Sequence, residues 1–442
     1  MTTRDFVISR RGALKLGLGA TAAVALTATG CGSGGGAGGA KNADGKVELR
    51  LTWWGNDTRN ANTAKLVEAY QKANPNVVIK PESGEWASYW DKLATQVAAN
   101  DAPDIIQMDE KYIREYGGRG ALLDLAKNGL DTSKFAPGTV KPGESKDGLM
   151  GINAGVNAPV ILANPKVFKA AGVDLPDDKT WTWDDFKRIA VEITRKSPKG
   201  TYGSTSPMAN DATLSGFLRQ RGKALFTEDS LGFEAADAQA FYDWIMELQK
   251  AKAIPSPDEV AEDDGKSLDQ SSFAIGKAGF GWVWSNQLNA YDAASGEDIK
   301  ILRYPSQTGK AADAKLWYKA SMFWSASSRT KNAEEVVKFI NWLSNSVDAG
   351  AIQTTERGVP PNLDVREKIA DKLTKSDKKT IAFIEAIEPE LGDTPLPPPV
   401  GAGNFPDIQK RYGQDVIFGR SSSADAAKKL IDEVKGNISS AS

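Results

Sequence analysis

One run constrains this chain more than any other: Val47 to Met108 reads as strand, helix, strand, helix, strand. Val47, Leu49, Leu51 and Trp53 alternate with polar residues, the period of a strand. Leu66, Val67, Tyr70 and Ala73 then fall on one helical face, and Pro75 stops the run. "VVIK" from Val77 is a second strand. Trp86, Tyr89, Trp90, Leu93 and Val97 follow at helical spacing, with Trp86 and Trp90 sharing the core-facing side with Leu93. "PDIIQM" is a third, apolar strand. This order predicts a parallel, doubly wound α/β sheet. Ligands of such sheets sit beyond the carboxyl ends of the strands. The first strand ends in Trp53-Trp54-Gly55-Asn56-Asp57 and the third in "QMDEKYI". Adjacent strand side chains point to opposite faces, so Trp53 joins Leu49 and Leu51 in a core while Trp54 borders the cleft. The alternative is that helices cover both faces and bury both rings.

Further elements follow the same logic. "GINAGVNAPVILANP" opens a second alternating region at Gly151, and Thr182 or Asp184 in "WTWDDF" can cap a helix. A long helix is expected over 235–252. "AGFGWVWSNQ" from Ala278 is a strand with its C-terminal turn, and "SMFWSASS" from Ser321 is another. Asn332 and Glu335 suggest a capping box at the start of the next helix. Helices are expected near 364–388 and 423–436, separated by the Pro-rich "TPLPPPVGAG". There is no internal repeat and no retained membrane span.

The amino terminus is a different kind of segment. "SRRGALK" carries paired arginines, and a short apolar run from Leu16 to Thr29 follows, which is the pattern of a twin-arginine (Tat) export signal over residues 1–30. Cys31 comes directly after this run and Gly30. It resembles a lipobox cysteine, so lipid modification is expected there, the alternative being a stray thiol near a cleavage site. "GSGGGAGGAKNADGK" then forms a flexible tether through residue 46, with an r.m.s. reach of roughly 20 Å. Its G-x-G-x-x-G spacing lacks a preceding strand and a following helix, so it is no dinucleotide site.

Composition excludes several chemistries. The chain has no histidine and a single cysteine, which removes histidine-based triads, histidine-ligated metals and any intrachain disulfide. Without residues 1–30 it loses four of its 55 basic and one of its 57 acidic residues, leaving a net charge of −5. Nothing in that balance favours nucleic acid.

"APDIIQMDEKYIREYGGRGALLDL", "GVNAPVILANPKVFKAAGV", "WTWDDF", "GFGWVWSNQ" and "ERGVPPN" occur in the order seen in extracellular solute-binding proteins, the capture subunits of ABC importers. The chain resembles the carbohydrate-binding branch similar to maltose-binding protein. The resemblance implies two doubly wound α/β lobes of the type II periplasmic-binding-protein class, joined by a hinge that the chain crosses several times. Lobe one is expected at 46–152 plus 319–375, and lobe two at 153–318 plus 376–442. It also implies a monomer that needs no cofactor or metal and no catalysis. Such a monomer is lipid-anchored on the extracytoplasmic membrane face, binds a sugar or oligosaccharide, and passes it to membrane permease subunits. Other ligands in view are a polyol, a glycerophosphate or another small polar solute. A secreted glycoside hydrolase using two carboxylates is the competing class.

Sugar sites combine flat aromatic platforms with paired donors and acceptors. By strand position and resemblance, the candidates are Trp54, Asn56, Asp57, Asp109, Glu110, Asn157, Asn286, Trp324 and Arg357. To these are added Trp282 and Trp284, of which Trp284 is slightly favoured. Asp109 could equally serve the dipole of a helix N-terminus, and Arg357 could equally form a surface ion pair. No basic cluster marks the expected mouth, which weighs against a phosphate-bearing ligand.

Overall fold

The structure, a computed structural model, describes residues 41–441 except Pro137. The export signal, Cys31 and residues 32–40 of the tether lie outside the described residues. Two sheets organise the rest.

In the first sheet, β1 (Val47–Trp54) lies between β2 (Val77–Gly84) and β3 (Ile105–Met108) and is parallel to both. Two helices make the crossovers, α1 (Asp57–Ala73) and α2 (Trp86–Ala98), and α3 (Glu110–Gly118) follows β3. The sheet is not wholly parallel. Phe323–Ala326 pairs antiparallel with β3 and, on its other edge, with Ile152–Asn153. These strands come from segments entering and leaving the second sheet, which the local pattern of 47–108 could not contain.

The period-two pattern of β1 sorts its side chains onto two cores. Leu49, Leu51 and Trp53 pack with Leu66, Val67 and Tyr70 of α1. Trp54 falls on the other face, with Tyr89, Trp90 and Leu93 of α2 and Ile113 and Tyr116 of α3. Helices therefore cover both faces, as a parallel sheet requires.

The second sheet runs Lys300–Leu302, Pro159–Ala163, Ala278–Trp284, Tyr202–Ser204. Pro159–Ala163 is antiparallel to both neighbours. A large core forms around it, with helices Trp183–Lys196 and Ala235–Lys250 and the terminal pair Phe405–Ile417 and Ser423–Ala441. Thr182 caps the first of these in a box with Asp185. Asn332 precedes helix Ala333–Asn345 without a side-chain cap bond, so the expected box there does not form.

The chain passes between the sheets at 153–159, 302–323 and 368–375. Two passages form a short ladder in which Lys319 faces Asn157 and Ala320 faces Val156. Val156 also bridges Val359. Glycine is required at this junction. A Cβ at Gly155 would lie 2.0 Å from the Arg357 carbonyl oxygen, and Gly358, at φ +96°, passes against Gly155 and Val156. No helix of the described residues is long and apolar enough to cross a membrane.

Candidate functional site

An open cavity of about 520 Å³ lies at the carboxyl ends of β1, β2 and β3. Its far wall comes from the second sheet, at Trp284, Asn286 and Gln287, and from the turn 266–270. The size falls within the roughly 300–1,000 Å³ of small-molecule sites. Three helices start here because each strand turns directly into one. Asn56 caps α1 by accepting from the Arg59 amide, Glu85 holds the N-cap position of α2, and Asp109 caps α3 by accepting from the Lys111 amide at 3.0 Å.

Of the residues expected from sequence, Trp54, Asn56, Asp57, Asp109, Asn157, Trp284 and Asn286 line this cavity. Trp54 does so with little of its surface, being 8% exposed. It packs edge-on against Trp86 at 5.1 Å and Tyr89 at 5.3 Å, and tilted against Trp90 at 5.4 Å. It is thus a core ring with one edge on the cavity. Trp53 is a core residue whose indole donates to Asn60 Oδ1 at 2.9 Å.

Four expected residues do not line the cavity. Trp282 shares a strand face with Trp284 but sits one pleat deeper. There it stacks on Trp183 at 5.8 Å and donates to Ser204 Oγ at 3.2 Å. Trp324 is buried in the core between the first sheet and helix Ala333–Asn345, with the Arg357 guanidinium 4.9 Å from its ring centre. Arg357 itself is 1% exposed. It donates to Gln107 Oε1 at 2.9 Å and to Thr63 Oγ1 at 2.7 Å, so its fork ties β3 to α1. Burial and the nearby Arg59 charge lower its pKa. Glu110 turns away to meet Lys319 Nζ at 3.2 Å, and burial raises its pKa.

Several lining residues carried no signal in the sequence. Trp86, expected in the core with Trp90, is 39% exposed and faces the cavity. It opens α2, whereas Trp90, one turn deeper, stacks on Tyr112 at 3.9 Å. Basic side chains also converge here, contrary to the expectation of none: Arg59, Lys111, Lys266 and Lys319. Lys319 is 5.0 Å from the Trp284 ring centre and 3.2 Å from Asp109 Oδ2. Burial pulls its pKa down, but Asp109, Glu110 and Asp211 outweigh burial and raise it. Lys111 bonds Asp211 at 2.9 Å, joining α3 to helix Asp211–Arg219 beside the second sheet. Arg59 forms a buried pair with Glu356 at 2.8 Å. These partners lie far apart in sequence, so no local spacing announces them.

Asn157 and Asn286 connect the walls. Asn157 Nδ2 donates to Asn286 Oδ1 at 3.0 Å, and Asn286 Nδ2 donates to the Glu356 carbonyl at 3.1 Å. Asn157 Oδ1 has no partner although the residue is 3% exposed. No group of acidic residues among those described could hold a metal ion. The arrangement is one of aromatic surfaces and hydrogen-bonding groups set on two separately built walls, which suits reversible enclosure of a polar solute.

Two α/β lobes joined by repeated crossings, with an open cavity at their strand ends, define a type II solute-binding protein. The family model described as bacterial extracellular solute-binding protein matches residues 54–348, and the chain belongs to that family. It is 27% identical over 418 residues to the diacetylchitobiose binding protein DasA of Streptomyces coelicolor, covering 88% of this chain and 90% of that one. A lipoprotein encoded 5′ of oleD in Streptomyces antibioticus is 28% identical over 209 residues. That match covers 44% of this chain and spans 45% of the relative's length. Among solved structures, a periplasmic oligogalacturonide binding protein from Yersinia enterocolitica superposes with a TM-score of 0.80 at 20% identity, covering 90% of this chain and 100% of that one.

Proposed function

We propose that this chain is the extracytoplasmic substrate-binding subunit of an ABC importer and captures a sugar or oligosaccharide by closing two lobes around it. The cavity carries the reading: Trp86, with an edge of Trp54, on one wall and Trp284 on the other, interleaved with Asn56, Asn157 and Asn286. Indole faces cover the C–H surfaces of a pyranose, while amide and carboxylate groups meet its hydroxyl edge. Family membership and the relative named for diacetylchitobiose support the same solute class. Lobe one comprises 46–152 plus 319–375 and lobe two 153–318 plus 376–442, the crossings forming the hinge.

The protein crosses the cytoplasmic membrane by the twin-arginine route, carries lipid on Cys31 and works as a monomer beside its permease. The lipoprotein relative supports the anchor. It acts as a binder, not an enzyme. Incubation with labelled neutral oligosaccharides tests this: the bound sugar comes back uncut, whereas shortened products would establish a hydrolase. A thermal-shift screen that responds to polyols or glycerophosphate but to no saccharide would replace the sugar with one of those solutes.

A further inference from the structure

Resting on the carbohydrate reading, we propose that the cavity selects saccharides without carboxylate or phosphate groups, and that Asp57, Glu85 and Asp269 enforce the choice. Proteins recognise anions with two devices, free cationic side chains and unfilled helix N-termini. Both are present at this cavity, and all four lining cations and two of the three helix N-termini are already in use.

Each cation has its own carboxylate. Arg59 pairs with Glu356 at 2.8 Å and Lys111 with Asp211 at 2.9 Å. Lys319 pairs with Asp109 and Glu110, both at 3.2 Å, and Lys266 with Glu262 at 2.8 Å. Two of the three helix N-termini are filled in the same way. α1 has Asp57 in its first turn and the Asn56 cap, and α3 is capped by the Asp109 carboxylate, whereas α2 has no side-chain cap bond and carries the free Glu85 carboxylate at its N-cap position. An anionic ligand would have to break a resident pair, displace a resident cap or approach the α2 N-terminus past the Glu85 carboxylate.

Asp57, Glu85 and Asp269 also line the cavity, and among the described residues their side chains have no hydrogen-bond or ion-pair partner. They are exposed and stand on both walls, the first two at the first sheet and Asp269 in the 266–270 turn. Asn157 also lines the cavity, and its buried Oδ1 has no partner. A lining with these uncommitted acceptors calls for donors, which hydroxyl, amide N–H and ammonium groups supply. Oxidising a sugar's primary alcohol to a carboxylate removes a donor and places a like charge beside three others.

The test is calorimetric titration at 20 mM salt. The probes are maltotriose, cellobiose, galactobiose and N,N′-diacetylchitobiose, each beside its 6-carboxylate form, with chitobiose as the amine-bearing counterpart. The expected result is a 6-carboxylate at least about tenfold weaker than its neutral parent, and chitobiose as tight as its acetylated form or tighter. Raising salt to 0.5 M, where charges are screened within a few ångströms, should narrow the carboxylate gap to about threefold. The triple variant D57N/E85Q/D269N should narrow it at low salt. A carboxylate form that binds as well as its parent overturns the proposal. A gap that ignores both salt and the three substitutions overturns the role of these residues. Silence from the whole panel, neutral sugars included, overturns the carbohydrate reading and this inference with it.

Discussion

Replacing Trp284 by alanine separates binding from folding more cleanly than any other change at this site. The ring is half-buried at the end of its strand. Its neighbours are the Trp317 edge at 6.3 Å and Lys319 Nζ at 5.0 Å. Lys319 keeps its pairs with Asp109 and Glu110 when the ring is removed, and an open wall leaves no sealed void. Stability should therefore fall by only about 1–2 kcal/mol. A sugar face that covers on the order of 60 Å² of the indole loses about 1.5 kcal/mol at 25 cal/mol per Å², close to tenfold in Kd. Phenylalanine retains a flat ring and should restore most of the affinity. Titration calorimetry with the tightest neutral sugar, beside a urea melt of each variant, gives both numbers. An unchanged Kd together with a stability loss of about 3 kcal/mol or more would refute the assignment and make Trp284 a core residue.

Trp54→Ala should cost about 3–5 kcal/mol of stability, because the ring is wedged among Trp86, Tyr89 and Trp90. Trp53→Ala should match that stability loss while leaving sugar affinity nearly unchanged once the protein is folded, and equal binding losses for the two would contradict their separation onto opposite faces. For Asp211, burial pushes the carboxyl up, but Lys111 and Lys319 outweigh it and hold the pKa below its ordinary value. A depressed carboxylate pKa contributes stability in full above the unfolded value near 3.9, and the contribution is lost as pH falls through the folded value. Asp211→Asn should thus cost about 1–3 kcal/mol at pH 7, and the difference from the parent should shrink below pH 4; a difference independent of pH would remove this ion pair from the account. Cys31→Ala should release protein from the membrane fraction or block processing, and a processed variant still sedimenting with membranes would contradict the lipid anchor.

The first sheet was legible because its elements are local. Alternation over 47–54, helical spacing over 57–73 and again over 86–98, and the apolar run at Ile105 each lie within one element, and they give β1, β2 and β3 in their correct chain order. The same alternation placed Trp53 in the core and Trp54 opposite. It could not show that α2 and α3 would close over Trp54, since that depends on tertiary packing. Trp282 and Trp284 share one period-two face, so only their depth along the strand separates them, and depth is set by where Trp183 and Trp244 pack. Arg357 follows the same rule: its partners Gln107 and Thr63 are more than 200 residues away. Lys319 and Lys111 were missed for a related reason. Lone lysines in polar stretches read as solvated surface until the crossing ladder places Lys319 opposite Asn157.

Hydrogen–deuterium exchange with and without the tightest neutral sugar tests most directly whether a saccharide is held between the two walls. The account predicts simultaneous protection at Trp54–Asp57, at the α3 start near Asp109, and at Trp284–Gln287, with further slowing at the crossings near Asn157 and Lys319. Protection confined to one wall, or found away from the cavity, would contradict capture by closure at this site.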